Sequence, residues 1–153
     1  MKGTSFEVFS RSVAQTRDAG RRLARLVSPG TLVLLRGPLG AGKTELVRGL
    51  AEGLGAEAEE VASPTFALVH EYGSPGEAPL LVHADLFRLL GTGAAAPANL
   101  DDLGLAEARA GGAVVVVEWP EGLPDERDAV EVTISLGDDE ARRIVVRGAS
   151  PDL

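Results

Sequence analysis

The chain has 153 residues, 44% of them apolar and 25% charged, with no cysteine and a formal net charge of −8. A single domain over residues 1–153 with a sizeable core is expected at that length. Without an apolar run of about 18 residues or a basic-then-apolar start, neither a membrane span nor a signal peptide is expected, and a cysteine-free chain fits a cytoplasmic location.

Charge is unevenly spread. Residues 1–50 carry nine Lys/Arg against three Asp/Glu, and the remainder carries six against twenty, giving +6 and −14. The acidic balance argues against an autonomous, tight nucleic-acid binder. Arg11, Arg17, Arg21, Arg22 and Arg25 either face a partner or an RNA, or form a solvated helix face.

Thr4 to Phe9 reads as a short edge strand with Phe6 and Val8 inward. Ser10 or Ser12 can cap the next helix, whose expected apolar stripe is Val13, Ala19 or Gly20, Leu23, Leu26 and Val27. Ser28-Pro29-Gly30 ends it. A strand over 31–36 then leads into Gly37-Pro38-Leu39-Gly40-Ala41-Gly42-Lys43-Thr44, followed by a helix over 43–54 and a terminating Gly55. Residues 37–44 fit G-x-x-x-x-G-K-[ST] in the context that motif needs, a buried strand before it and a helix after it. Glycines let successive backbone N–H groups converge on phosphate oxygens, and the helix dipole adds positive potential there. In such a loop Leu39, Gly40, Ala41, Gly42, Lys43 and Thr44 cradle the phosphates, Lys43 reaches the β- and γ-phosphates, and the Thr44 hydroxyl takes one Mg²⁺ position.

Pro64 holds Ser63 extended before a strand over 66–72. In nucleotide switches a loop like this one can lay a threonine, here Thr65, over the γ-phosphate and Mg²⁺; otherwise Thr65 is a turn residue. Pro79 to Ala84 reads as a buried strand ending in Asp85. That carboxylate either points into the ligand crevice of an α/β sheet or caps the helix beginning there. Gly91 to Asn99 is a low-complexity loop, and a short helix is expected over Leu100 to Ala110. Val114 to Val117 reads as a central parallel strand buried on both faces. Glu118 at its end binds Mg²⁺ through water or acts as a base; otherwise it is a capping or solvated residue. Val130 to Leu136 and Arg142 to Val146 form a β-hairpin expected at the far edge of the sheet. His70 and His83 read as packed or hydrogen-bonded strand residues.

Gly37 to Thr44, Ser63-Pro-Thr-Phe66, His83-Ala-Asp-Leu-Phe-Arg88, Leu103-Gly-Leu105 with Glu107, and Glu118-Trp-Pro-Glu121 occur in this order. Together they resemble the TsaE (YjeE-type) P-loop ATPases of bacterial tRNA threonylcarbamoyladenosine biosynthesis, over about residues 10–145. The resemblance implies an α/β, three-layer P-loop NTPase fold with a mostly parallel sheet, an antiparallel edge and a C-terminal β-hairpin. It implies ATP and Mg²⁺ as cofactors, with Lys43 and Thr44 on phosphate and metal, Thr65 in a switch-like loop, Asp85 at an essential acidic position and Glu118 as second Mg²⁺ ligand. Trp119 beside it stands at a functional position of the family or is a packed aromatic. Residues near Ser10 to Val13 and Arg142 or Arg143 would line the adenine pocket. Phe87 stands where tyrosine is more usual, and Gly91 to Asn99 is more alanine-rich than the family's connection. The implied partners are a TsaD-type carbamoyltransferase and a TsaB-type subunit, with tRNA reached through their complex. Slow hydrolysis alone and activation in that complex are expected, since no in-chain arginine finger stands out.

Two rivals remain open from the residues. A small-molecule P-loop kinase would want lid arginines, and between residues 86 and 112 only Arg88 and Arg109 are present. A non-hydrolysing switch would not need Thr44, Asp85 and Glu118. Guanine readout through an N-K-x-D-like motif is excluded, because the only lysines are Lys2 and Lys43.

Overall fold

A computed structural model describes residues 4–38, 42–56, 69–73, 80–85, 105–118, 129–137 and 141–149. The strands are β1 (Thr4–Ser10), β2 (Leu32–Arg36), β3 (Val69–Tyr72), β4 (Leu81–Asp85), β5 (Val114–Glu118), β6 (Val130–Leu136) and β7 (Arg142–Ala149). Helices α1 (Val13–Ala24), α2 (Lys43–Leu54) and α3 (Leu105–Ala110) complete the described elements.

The strands form one sheet in the order β1-β7-β6-β2-β5-β4-β3. The middle four, β6, β2, β5 and β4, are mutually parallel, while β1, β7 and β3 join antiparallel. Continuous apolar runs make the central strands, as a parallel sheet covered on both faces requires. Alternation of side chains then divides each run between two cores. Val33, Leu35, Val114 and Val116 pack with Leu23 of α1 and Leu46, Val47 and Leu50 of α2. Leu32, Leu34, Val115 and Val117 face the opposite layer, where Ala108 of α3 packs.

Helices α1 and α2 meet through glycine. A Cβ on Gly49 would stand 1.9 Å from the Arg17 carbonyl oxygen, and one on Gly20 would stand 2.2 Å from that of Leu46. Bare backbone is what lets the two helices approach so closely. Flanking that seam, Arg17 Nη2 reaches Glu45 Oε2 at 2.8 Å and Arg21 Nη2 reaches Glu52 Oε1 at 3.1 Å. Arg22 lies over the Phe6 ring, 4.1 Å from its centroid. The arginine-rich face is therefore not simply solvated, since three of its five guanidinium groups hold α1 against α2 and β1.

Two expectations need correction. The β6–β7 hairpin is not at the sheet's edge: β6 pairs in parallel with β2, and β1 closes the outside of β7. Phe6 and Val8 of β1 pack against the main core, so the N-terminal strand covers the hairpin. On α1, Val13 is 61% exposed and Thr16 is buried in the stripe instead. Ser12 caps α1 by accepting from the Gln15 N–H, while Ser10 Oγ and Thr16 Oγ1 pair at 2.6 Å. That hydroxyl pair satisfies two buried polar groups and turns the Thr16 side of the helix inward. The expected strand over 66–72 is described from Val69 and the expected helix over 100–110 from Leu105. Asp85, the expected start of a helix, is the last residue of β4; the earlier residues of those two elements, residues 86–90 and the loop 91–99 lie outside the described residues.

Candidate functional site

Strands β2, β5 and β4 are neighbours and parallel, so they finish at one edge of the sheet. Leu35 is in register with Glu118, and Glu118 is in register with Asp85. The chain leaves β2 through Gly37, where a Cβ would come 2.8 Å from the Ile134 carbonyl oxygen. A side chain there would push the loop off β6. The chain enters α2 through Gly42, whose φ of +104° is a left-handed conformation that favours glycine. Gly42 is the N-cap and supplies no side-chain cap. The first N–H groups of a 12-residue helix therefore meet no side-chain acceptor at that cap, the arrangement that suits an anion.

Lys43, the first residue of α2, is only 7% exposed. Its Nζ donates to the Gly37 carbonyl at 2.8 Å and stands 3.7 Å from Glu118 Oε1. Glu118, equally buried, accepts on its other oxygen, Oε2, from His83 Nε2. Burial pushes the Glu118 carboxyl up. The hydrogen bond from His83, the electrostatic pull of the same imidazole and the Lys43 ammonium outweigh that and hold it below the usual carboxylate range. The carboxylate is thus ionised, inside the protein, at the end of the central strand. Thr44 follows Lys43 on the first turn, half-buried.

The structure therefore brings Gly42, Lys43, Thr44 and Glu118 to one corner and sets the backbone of Asp85 beside it. Leu39, Gly40, Ala41, Thr65, Trp119 and the Asp85 side chain lie outside the described residues. Ser10 and Arg142, both named for the adenine pocket, are register partners at the β1–β7 end, and Arg143 is ion-paired with Glu7. Thr16, bonded to Ser10, would lie 3.5 Å from a Cβ on Gly42, so this end adjoins the loop. His83 is the packed, hydrogen-bonded strand residue expected from the sequence, but its partner, Glu118, makes it a site residue that the sequence did not single out. The available signal was its place two residues before Asp85 in the same apolar run.

The donor set fits a Mg²⁺-bound triphosphate. It offers an ammonium, a hydroxyl and an ionised carboxylate, and no group of three or more His, Cys, Asp or Glu among the described residues could hold a metal alone. Mg²⁺ suits such a site, because it commonly takes one or two protein oxygens and completes its shell with phosphate and water.

The family model described as "Threonylcarbamoyl adenosine biosynthesis protein TsaE" matches residues 10–145. The chain is 45% identical to a tRNA threonylcarbamoyladenosine biosynthesis protein TsaE of Streptomyces coelicolor, covering 86% of this chain and 89% of that protein. A protein of the same description from Treponema pallidum is 41% identical, covering 83% and 87% respectively. Among solved structures, Bacillus subtilis YdiB superposes with a TM-score of 0.68 at 29% identity, over 96% of this chain and 87% of that one.

Proposed function

This chain belongs to the TsaE family of tRNA threonylcarbamoyladenosine biosynthesis proteins, and from that premise we propose that it is the ATP-hydrolysing subunit of that modification, with its site at the β2–α2 loop. The observation that carries the reading is the buried Lys43 of a G-x-x-x-x-G-K-T segment, 3.7 Å from an ionised Glu118 on the adjacent parallel strand. A fold needing only stability would gain little from that pair, since desolvating two charges costs about as much as their attraction returns.

In this reading Leu39, Gly40, Ala41 and Gly42 wrap the phosphates, and Lys43 transfers its hydrogen bonds from the Gly37 carbonyl to phosphate oxygens. Thr44 and Glu118 hold Mg²⁺, which when bound neutralises charge on the transferred phosphoryl group. Asp85 or Glu118 orients the attacking water, and Thr65 belongs to a loop that responds to the γ-phosphate. Positioning and charge neutralisation supply most of the rate. The partners are a TsaD-type carbamoyltransferase and a TsaB-type subunit, and turnover resets their complex.

The test is ATP hydrolysis by the chain alone and with the TsaB–TsaD pair, beside Lys43→Ala and Glu118→Ala. The reading expects slow turnover alone, acceleration by the pair and loss in both variants. Phosphate transferred to a small metabolite would contradict it.

A further inference from the structure

We propose that His83 is a positioning residue for Glu118, pinning Oε2 so that Oε1 is committed to the Lys43 side of the site. This deepens the nucleotide-site reading above and rests on it.

The placement follows from the sheet. His83 is in register with Val116, two residues short of Glu118 on β5. Val82 and Ala84 on either side of His83 belong to the core beneath α3, so His83 faces the α1–α2 side. Glu118 faces that side too, in phase with Val114 and Val116. The imidazole and the carboxylate therefore meet diagonally across two parallel strands, both buried.

Geometry then assigns the roles. An ionised carboxylate only accepts, so His83 Nε2 carries the hydrogen and donates. Lys43 Nζ is 3.7 Å from Oε1, too long for an ordinary hydrogen bond, and it donates to the Gly37 carbonyl. Glutamate has three side-chain torsions, and the contact with His83 is the short bond that fixes them. His83 Nδ1 is buried with no hydrogen-bond partner among the described residues. An apolar side chain would pack there without that unsatisfied nitrogen. Histidine at this position is explained by what Nε2 holds.

The test compares His83→Leu, which removes the donor, with His83→Gln, which keeps an N–H of similar reach. A fluorescent ATP analogue is titrated at increasing Mg²⁺. His83→Leu should raise the Mg²⁺ midpoint about 10- to 100-fold, the usual loss when the partner of a metal-binding side chain is removed. Affinity without Mg²⁺ should stay at the wild-type value, and His83→Gln should recover most of the shift. A wild-type midpoint in His83→Leu, or equal impairment in both variants, would overturn the proposal. If His83→Leu does not fold, His83→Gln decides alone: a near-wild-type midpoint supports the proposal and a tenfold rise overturns it. Nitrogen-15 NMR reads the bond without nucleotide, and with two histidines in the chain assignment is direct. A protected Nε2–H signal lost in Glu118→Ala supports the pairing, and its absence in the wild type overturns it. A wild type that shows this signal yet binds no ATP would sink the nucleotide-site reading and leave the pairing standing.

Discussion

Arg17 of α1 grips Glu45 of α2 through both Nε and Nη2, at 3.2 and 2.8 Å, two residues beyond the loop lysine. Arg48 holds the same carboxylate from the other side. The arginine helix is thereby coupled to the first turn of α2. The pair is partly exposed, with side chains 32% and 19% accessible, so its contribution is screened. Arg17→Ala should lower stability by about 0.5–1 kcal/mol, with a smaller loss at 1 M salt. Chemical denaturation at two salt concentrations measures this. A loss that does not change with salt would point to packing.

Gly49→Ala should be far more damaging. Alanine is favoured over glycine within a helix by about 1 kcal/mol. Here the added methyl would meet the Arg17 carbonyl at 1.9 Å and force the helices apart, and overpacking of this kind costs about 1–3 kcal/mol or more. Backbone resists where a flexible side chain would yield, so the clash should win. The melting temperature should fall, and so should nucleotide affinity, because α2 carries Lys43.

Lys43→Ala and Glu118→Ala should separate in stability. Removing Lys43 leaves Glu118 its bond from His83, a loss of about 1–2 kcal/mol with the circular-dichroism spectrum nearly unchanged. Removing Glu118 takes the buried counter-charge from beside Lys43 and the acceptor from His83 Nε2 at once, and should cost about 3 kcal/mol or more. Equal melting temperatures for the two variants would contradict the buried triad.

The legible part of this molecule was local. Glycine spacing with flanking apolar runs located β2, the loop and α2, and four valines in a row located β5 with Glu118 at its tip. Gly55 was legible as the end of α2, where it takes a φ of +100°. What the chain hid depends on strand order. Nothing in residues 130–146 says that β6 lies against β2, or that β1 returns to cover β7. His83 and Glu118 are 35 positions apart, and their contact exists only because β4 and β5 are neighbours in register. Arg17 and Arg21 looked like a solvated face because their partners, Glu45 and Glu52, stand on a different helix. Thr16 lost to Val13 in the apolar count because its burial rests on a hydroxyl bond to Ser10, which apolar periodicity does not register.

Acid should unfold the protein partly through Glu118. Its folded pKa lies below the ordinary 4.5. The charge therefore contributes stability that is fully present above about pH 4.5 and lost as pH falls through the lower folded value. Glu118→Gln removes this dependence. The stability gap between wild type and variant, measured by urea denaturation, should shrink as pH falls below about 4.5. A gap that grows as pH falls below about 4.5 would reverse the assigned sign.

The central claim is that Lys43 and its loop hold the phosphates of ATP, and calorimetric titration of Mg²⁺-ATP into wild type and Lys43→Ala tests it most directly. Loss of two charge-assisted hydrogen bonds, at about 1.5 kcal/mol each, predicts roughly a hundredfold weaker binding in the variant. A Lys43→Ala protein that binds Mg²⁺-ATP as tightly as the wild type would contradict the account.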